Sequence, residues 1–212
     1  MDIATPSFIS PQLSCEELKI DKPLKLGVLA SGSGTNFEVI AQAINKQELN
    51  AQIPILIYNN PQAKVKEKAQ SLNIEAKLLN HREFKHREDL DQAIVNLFQS
   101  YHIEWVIMAG WMRIVTPILL EAFPNHVINI HPSLLPSFKG INAVEQALKA
   151  GVKITGCTVH LASLEVDSGP ILLQAAVPIL PNDTPETLHA RIQIQEHIIF
   201  PQAIALAAKI YS

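Results

Sequence analysis

The 212-residue sequence predicts a single α/β domain, and three observations lead there. Short apolar runs of strand length alternate with stretches whose apolar residues recur every three to four positions. The first apolar run, Leu24 to Ala30, passes through a glycine-rich turn into a helix. A later β-branched run, Val127 to His131, stops at a proline, which cannot donate to a sheet ladder. Alternating strands and helices imply right-handed crossovers and a mostly parallel twisted sheet with helices on both faces. Pairing of the late strands is expected to add some antiparallel character in the C-terminal part.

A hydrophobic share of 48% is enough for a buried core. The net charge of −3 leaves no basic surplus, so nucleic acid is not an expected partner. The two cysteines, Cys15 and Cys157, form no CxxC pattern, which speaks against a disulfide framework or a zinc cluster and for a reducing cytoplasm. No apolar run approaches the roughly 20 residues that span a bilayer, so the protein is expected to be soluble, with no membrane partner.

Residues 1 to 23 mix proline, serine and acidic residues without a sustained period. They lack the basic and apolar blocks of a secretory signal, and Asp2, Glu16, Glu17 and Asp21 count against a transit peptide. A flexible or loosely docked tail is expected there, ahead of one domain over residues 24 to 212.

After the first strand, Ser31-Gly32-Ser33-Gly34-Thr35-Asn36 opens a helix with apolar Phe37, Ile40, Ala41 and Ile44. Free N–H groups at such a helix start can cradle an anion. The dinucleotide fingerprint GxGxxG is only half matched, because Phe37 holds its third glycine position. The strand Gln52 to Tyr58 then ends in Asn59-Asn60 rather than a ribose-binding acid, which argues against NAD and leaves a phosphate monoester open.

A helix from about Ala63 to Leu72, a strand near Ala76 to Leu79 and a helix through Leu90, Ile94 and Phe98 follow. Trp105 to Ala109 reads as a strand, and Pro117 opens a helix at a first-turn position. The helix Ala143 to Ala150 stops at Gly151, ahead of strands over Thr155 to Leu161 and Ile171 to Pro178. A last helix is expected from about Pro185 to Tyr211, with a break possible at Pro201.

The strand Val127 to His131 carries the chemistry. Residues two apart share one face of a strand, so Asn129 and His131 point the same way, at the end where open α/β sheets bind ligands. Asn-Ile-His-Pro-Ser-Leu-Leu-Pro at 129 to 136 stands in order with Ser31-Gly-Ser-Gly-Thr-Asn36, Ala109-Gly-Trp-Met-Arg-Ile114, Val166-Asp-Ser-Gly-Pro170 and Gln195-Glu-His197. By this ordered set, over roughly Leu24 to Ile210, the chain resembles the folate-dependent formyltransferases, whose fold is Rossmann-like.

The resemblance implies transfer of a formyl group from 10-formyltetrahydrofolate, as co-substrate, to a primary amine, without a metal. It makes Asn129, His131 and Asp167 the catalytic trio. It assigns Gly34, Thr35, Asn36 and Glu196 to phosphoribosylglycinamide, the amine substrate in purine synthesis. Arg87, Met112, Arg113, Ile114, Val115 and Asn129 fall to the folate. Many members carry histidine where this chain has Asn142 and Val144.

In such a reaction the Asn129 amide suits the oxyanion, while His131, with Asp167 beside it, donates or relays protons. Gly169 is expected to give the Asp167 loop backbone freedom. His160 reads as an ordinary strand histidine, and His81, His86, His102, His126 and His189 as surface or capping residues. A deformylase, or a binding protein without activity, are the competing readings. The oligomer is expected to be a monomer or a homodimer.

Overall fold

In the computed structural model, residues 8–14 and 16–211 are described. Strand β1 spans Phe8–Ser10, and β2 (Leu24–Ala30) follows with α1 (Thr35–Asn45), β3 (Ala51–Tyr58), α2 (Val65–Ser71) and β4 (Ala76–Leu78). Next come α3 (Arg87–Ser100), β5 (Trp105–Met108), α4 (Pro117–Ala122) and β6 (Val127–His131). The chain continues through α5 (Ala143–Ala150), β7 (Ile154–Leu161), β8 (Ile171–Pro178) and α6 (Pro185–Tyr211).

The described strands form one sheet in the order β1-β8-β7-β6-β5-β2-β3-β4. Pairing is parallel from β6 through β5, β2 and β3 to β4. It is antiparallel for β6 with β7, β7 with β8 and β8 with β1. The fold is thus the expected α/β domain with antiparallel pairing toward its C-terminal part.

Alternation along the strands divides the core between the two faces. On β2, Leu26, Val28 and Ala30 pack in one cluster with Phe37 and Ile40 of α1 and Ile199 and Phe200 of α6. Leu29 turns to the other face, among Leu90, Ile94 and Phe98 of α3 and Leu119 of α4. On β6, Ile128 and Ile130 belong to the first cluster, which leaves Val127, Asn129 and His131 on the second face. The strand is therefore anchored by its apolar side and presents its polar side to whatever lies above.

Helix α6 runs unbroken through Pro201 to Tyr211. Proline there removes the hydrogen bond to the His197 carbonyl, and burial of Ile199, Phe200, Ala203 and Ile204 on both sides of it holds the helix together. Part of the N-terminal segment docks more firmly than a loose tail: β1 extends the sheet, and Ile9, Leu13, Leu18 and Ile20 pack against the core. Residues 1–7 and Cys15 lie outside the described residues. No described helix is long and apolar enough to cross a membrane.

Candidate active site

The chain moves from β2 outward to β3 and β4, then returns to β5 on the opposite side of β2. The loops after β2 and β5 consequently diverge, which opens a crevice at the carboxyl ends of the strands. A cavity of about 750 Å³ occupies this place, lined by residues 31 to 36 after β2 and 108 to 115 after β5. Ser31 ties the two loops together: its N–H donates to Gly110 O at 3.0 Å, and its hydroxyl accepts from Met112 N at 2.9 Å.

Asn129, His131 and Asp167 converge in this cavity. Asp167 Oδ2 lies 3.2 Å from His131 Nδ1 and accepts from Gly140 N at 2.8 Å. Its Oδ1 accepts from Asn129 Nδ2 at 3.4 Å and stands 3.6 Å from His160 Nε2. At that distance the His160 contact is longer than a hydrogen bond. Burial works to raise the Asp167 carboxyl, but His160, the Gly140 N–H and His131 together hold it below its ordinary value. His131 Nε2 bonds the Phe138 carbonyl at 2.8 Å, so both ring nitrogens face acceptors.

Asp167 adopts φ of 50°, a left-handed conformation that Asp tolerates better than most side chains. Gly169 serves this loop differently from expectation. Its φ is not left-handed; a Cβ there would meet the Leu161 carbonyl oxygen at 1.9 Å, so close passage past the end of β7 is what demands glycine.

The loop after β2 forms the second part of the site. Gly34 caps α1 with φ of 73°, and a Cβ there would lie 2.4 Å from Val65, so the position admits only glycine. No side chain caps α1, which leaves its first N–H groups free for an anion. Across from them stands α6: Gln193 Nε2 donates to Thr35 Oγ1 at 3.0 Å, and Asn36 Nδ2 donates to Glu196 Oε2 at 3.1 Å. Burial pushes the Glu196 carboxyl up, against the Asn36 bond and the charge of His189.

The third part is the segment after β5. Met112 and Ile114 are exposed, Val115 is buried, and all four residues from Met112 to Val115 line the cavity. Its far end is fixed by Asp91 of α3, whose buried carboxylate accepts from Thr116 N at 2.6 Å. Arg87 stands apart from the other expected residues. It is exposed at the first position of α3 and does not line the cavity, because the helix start projects it into solvent.

Gly34, Thr35, Asn36, Glu196, Asn129, His131 and Asp167 all line the one cavity. Sequence reading passed over three further contributors. His160 is indeed on a strand, but its register opposite Asn129 puts Nε2 3.2 Å from Asn129 Nδ2. Its Nδ1 faces the Leu161 carbonyl at 2.8 Å. Gln193 and the exposed His189 also line the cavity, and their spacing to Glu196 on α6 was the available signal. Among the described residues, no group of three or more His, Cys, Asp or Glu is placed to hold a metal ion.

Fold and site together define a doubly wound α/β protein with an anion-binding loop and a polar Asn–His–Asp cluster in its switch-point cavity. The formyl transferase family model matches residues 24–204. The chain belongs to that family. It is 40% identical over 180 residues to phosphoribosylglycinamide formyltransferase of Bacillus subtilis, covering 85% of this chain and 92% of that protein. It is 42% identical over 187 residues to the trifunctional purine biosynthetic protein adenosine-3 of Homo sapiens, covering 88% of this chain but 18% of that protein. The chain thus spans under a fifth of the trifunctional relatives' length. The crystal structure of glycinamide ribonucleotide transformylase 1 from Symbiobacterium toebii superposes with a TM-score of 0.87 at 42% identity, over 90% of each chain.

Proposed function

We propose that the protein transfers the formyl group of 10-formyltetrahydrofolate to the primary amine of phosphoribosylglycinamide, in purine synthesis. The observation that carries this reading is one cavity joining an uncapped helix start, an apolar segment and the Asn129–His131–Asp167 cluster between them. In this reading Gly34, Thr35 and Asn36 hold the substrate phosphate, and Glu196 contacts the same substrate. Met112 to Val115 wall the folate pocket.

The neutral amine attacks the formyl carbon, the carbonyl oxygen gains negative charge, and the folate nitrogen leaves with a proton. Asn129 has two N–H bonds. The contact with His160 is the shorter at 3.2 Å, so the 3.4 Å bond to Asp167 is the one more readily exchanged for the developing oxyanion. His131 supplies or relays the proton, and Asp167, fixed by Gly140 N–H, orients its ring. In this reading the enzyme is cytoplasmic, monomeric or homodimeric, with no part for membrane, and the weak negative charge supports small-molecule substrates over nucleic acid. Residues 24–212 form the transferase unit in this reading.

The test is turnover of 10-formyltetrahydrofolate by the purified protein, with and without phosphoribosylglycinamide. Turnover that depends on the amine is expected. Equal turnover without it would identify a deformylase, and none in either condition a binding protein; both would refute the proposal.

A further inference from the structure

A phosphate monoester brings about −1.5 to −2 charges at neutral pH, and a helix start answers with roughly half a positive charge. Among the described residues that line the main cavity, Arg113 is the one lysine or arginine, and it belongs to the segment after β5. The loop after β2 offers hydroxyl, amide and backbone donors, facing the carboxyl of Glu196. Its end of the cavity therefore lacks a cation of its own.

Three histidines line the cavity, and two of them, His131 and His160, stand against Asp167. The side chain of the third, His189, makes no hydrogen bond to any described residue. It precedes Gln193 by four positions and Glu196 by seven, the spacing of one helix face, and those two bond Thr35 and Asn36 of the loop. His189 also walls a neighbouring cavity of about 260 Å³, shared with Pro132 and Asn142 and bordered by Glu145 and Glu186. These two carboxylates and Glu196 are the acidic groups beside it.

We propose that His189 is a substrate-binding residue, whose imidazole donates a hydrogen bond to the phosphate of the amine substrate. This rests on the substrate reading above. An imidazole carries a donor N–H in either protonation state, so it completes the ring of donors begun by α1, Thr35 and Asn36. Its position on the rim of α6 lets the phosphate meet it at entry and keep it once seated.

Steady-state kinetics on the full chain, each substrate varied in turn, decides the matter with His189→Ala, His189→Lys and His189→Glu. Because His189 is exposed, the variants are expected to fold, as circular dichroism will show. His189→Ala should raise KM for phosphoribosylglycinamide by about 3- to 10-fold, less than a fully buried charged hydrogen bond would cost. His189→Glu should raise it further, and His189→Lys should restore it to within about two-fold. Values of kcat and of KM for the folate should stay within about two-fold throughout. Amine-dependent turnover with an unchanged amine KM in all three variants would overturn the inference. So would a loss shared equally by both substrates. Failure of the wild-type protein to use the amine would instead refute the substrate reading beneath it.

Discussion

Asp167→Asn tests the centre of the site, because every partner of the carboxylate is fixed by geometry. One oxygen accepts from Gly140 N at 2.8 Å and faces His131 Nδ1; the other accepts from Asn129 Nδ2 at 3.4 Å. An amide must turn its NH₂ toward one of these sides. Facing Gly140 and His131, it sets donor against donor at the shortest contact; facing Asn129, it displaces the amide expected to hold the oxyanion. Either orientation leaves a donor unmet at a cost of about 1–3 kcal/mol. It also removes the negative charge that orients His131, and the loss of one such preorganised group typically costs about 10²- to 10³-fold in rate. Both effects act on the transition state, so kcat should fall by about 10³-fold or more, with each KM within a few-fold. The fold should persist, since Asp167 lies in the loop between β7 and β8 and outside the core clusters. Formyl transfer followed by absorbance, with a thermal melt on the same sample, provides the measurement. A folded variant within about ten-fold of the wild-type rate would refute the role assigned to Asp167.

Asn36→Ala should raise KM for phosphoribosylglycinamide by about 10- to 150-fold, the worth of one hydrogen bond to a charged group, with the folate KM nearly unchanged. A rise in the folate constant alone would reverse the placement of the two pockets. Arg87→Ala should change the folate KM by less than about two-fold, because the side chain is exposed outside the cavity; a ten-fold rise in steady-state assays would bring it back into the site. Asp183 receives two bonds from Arg191, at 2.7 and 2.8 Å, which hold its carboxyl down at about 2 against an ordinary 3.8. A depressed carboxylate contributes stability above its unfolded pKa and loses it as pH falls through the folded one, so the pair is worth about 1–2 kcal/mol at neutral pH after solvent screening. Asp183→Asn should lower Tm by about 2–8 °C at pH 7, and the gap should close between about pH 4 and pH 2. A gap that persists at pH 2 would show that the carboxylate's charge is not its source.

Local patterns carried most of the architecture. The apolar alternation of β6 already placed Asn129 and His131 on one face, and the structure puts them there because Ile128 and Ile130 are buried on the other. The Gly34 turn was legible as a glycine-rich link from strand to helix, but the reason only glycine fits is the approach of Val65 from α2, which is a contact between distant segments. What stayed hidden depended on register between distant segments. His160 looks like any strand histidine until β7 pairs antiparallel with β6 and brings it opposite Asn129. Arg87 lies outside the cavity lining, and a residue type at a helix start says nothing about which way that helix start points. The β1 strand was missed because three residues give no period to detect; only the partner edge of β8 makes them a strand.

The antiparallel turn of the sheet also accounts for how Asp167 reaches the site at all. In a purely parallel sheet, loops from neighbouring strands emerge at the same end. Strand β7 runs the other way, with Leu161 opposite Ile128 at the start of β6, so the loop after β7 begins away from His131. It must double back over the face on which Asn129 and His131 stand, and β8 then resumes with Ile171 paired to His160. Gly169 permits that return by passing close against the Leu161 carbonyl, and the left-handed turn at Asp167 aims the carboxylate down at the face. The carboxylate therefore approaches its partners from above the sheet while Ser31 binds the β2 and β5 loops from the side. With the carboxylate above the face and the joined loops beside it, the cavity stays open along its remaining length, which is the room the proposed two-substrate reaction requires.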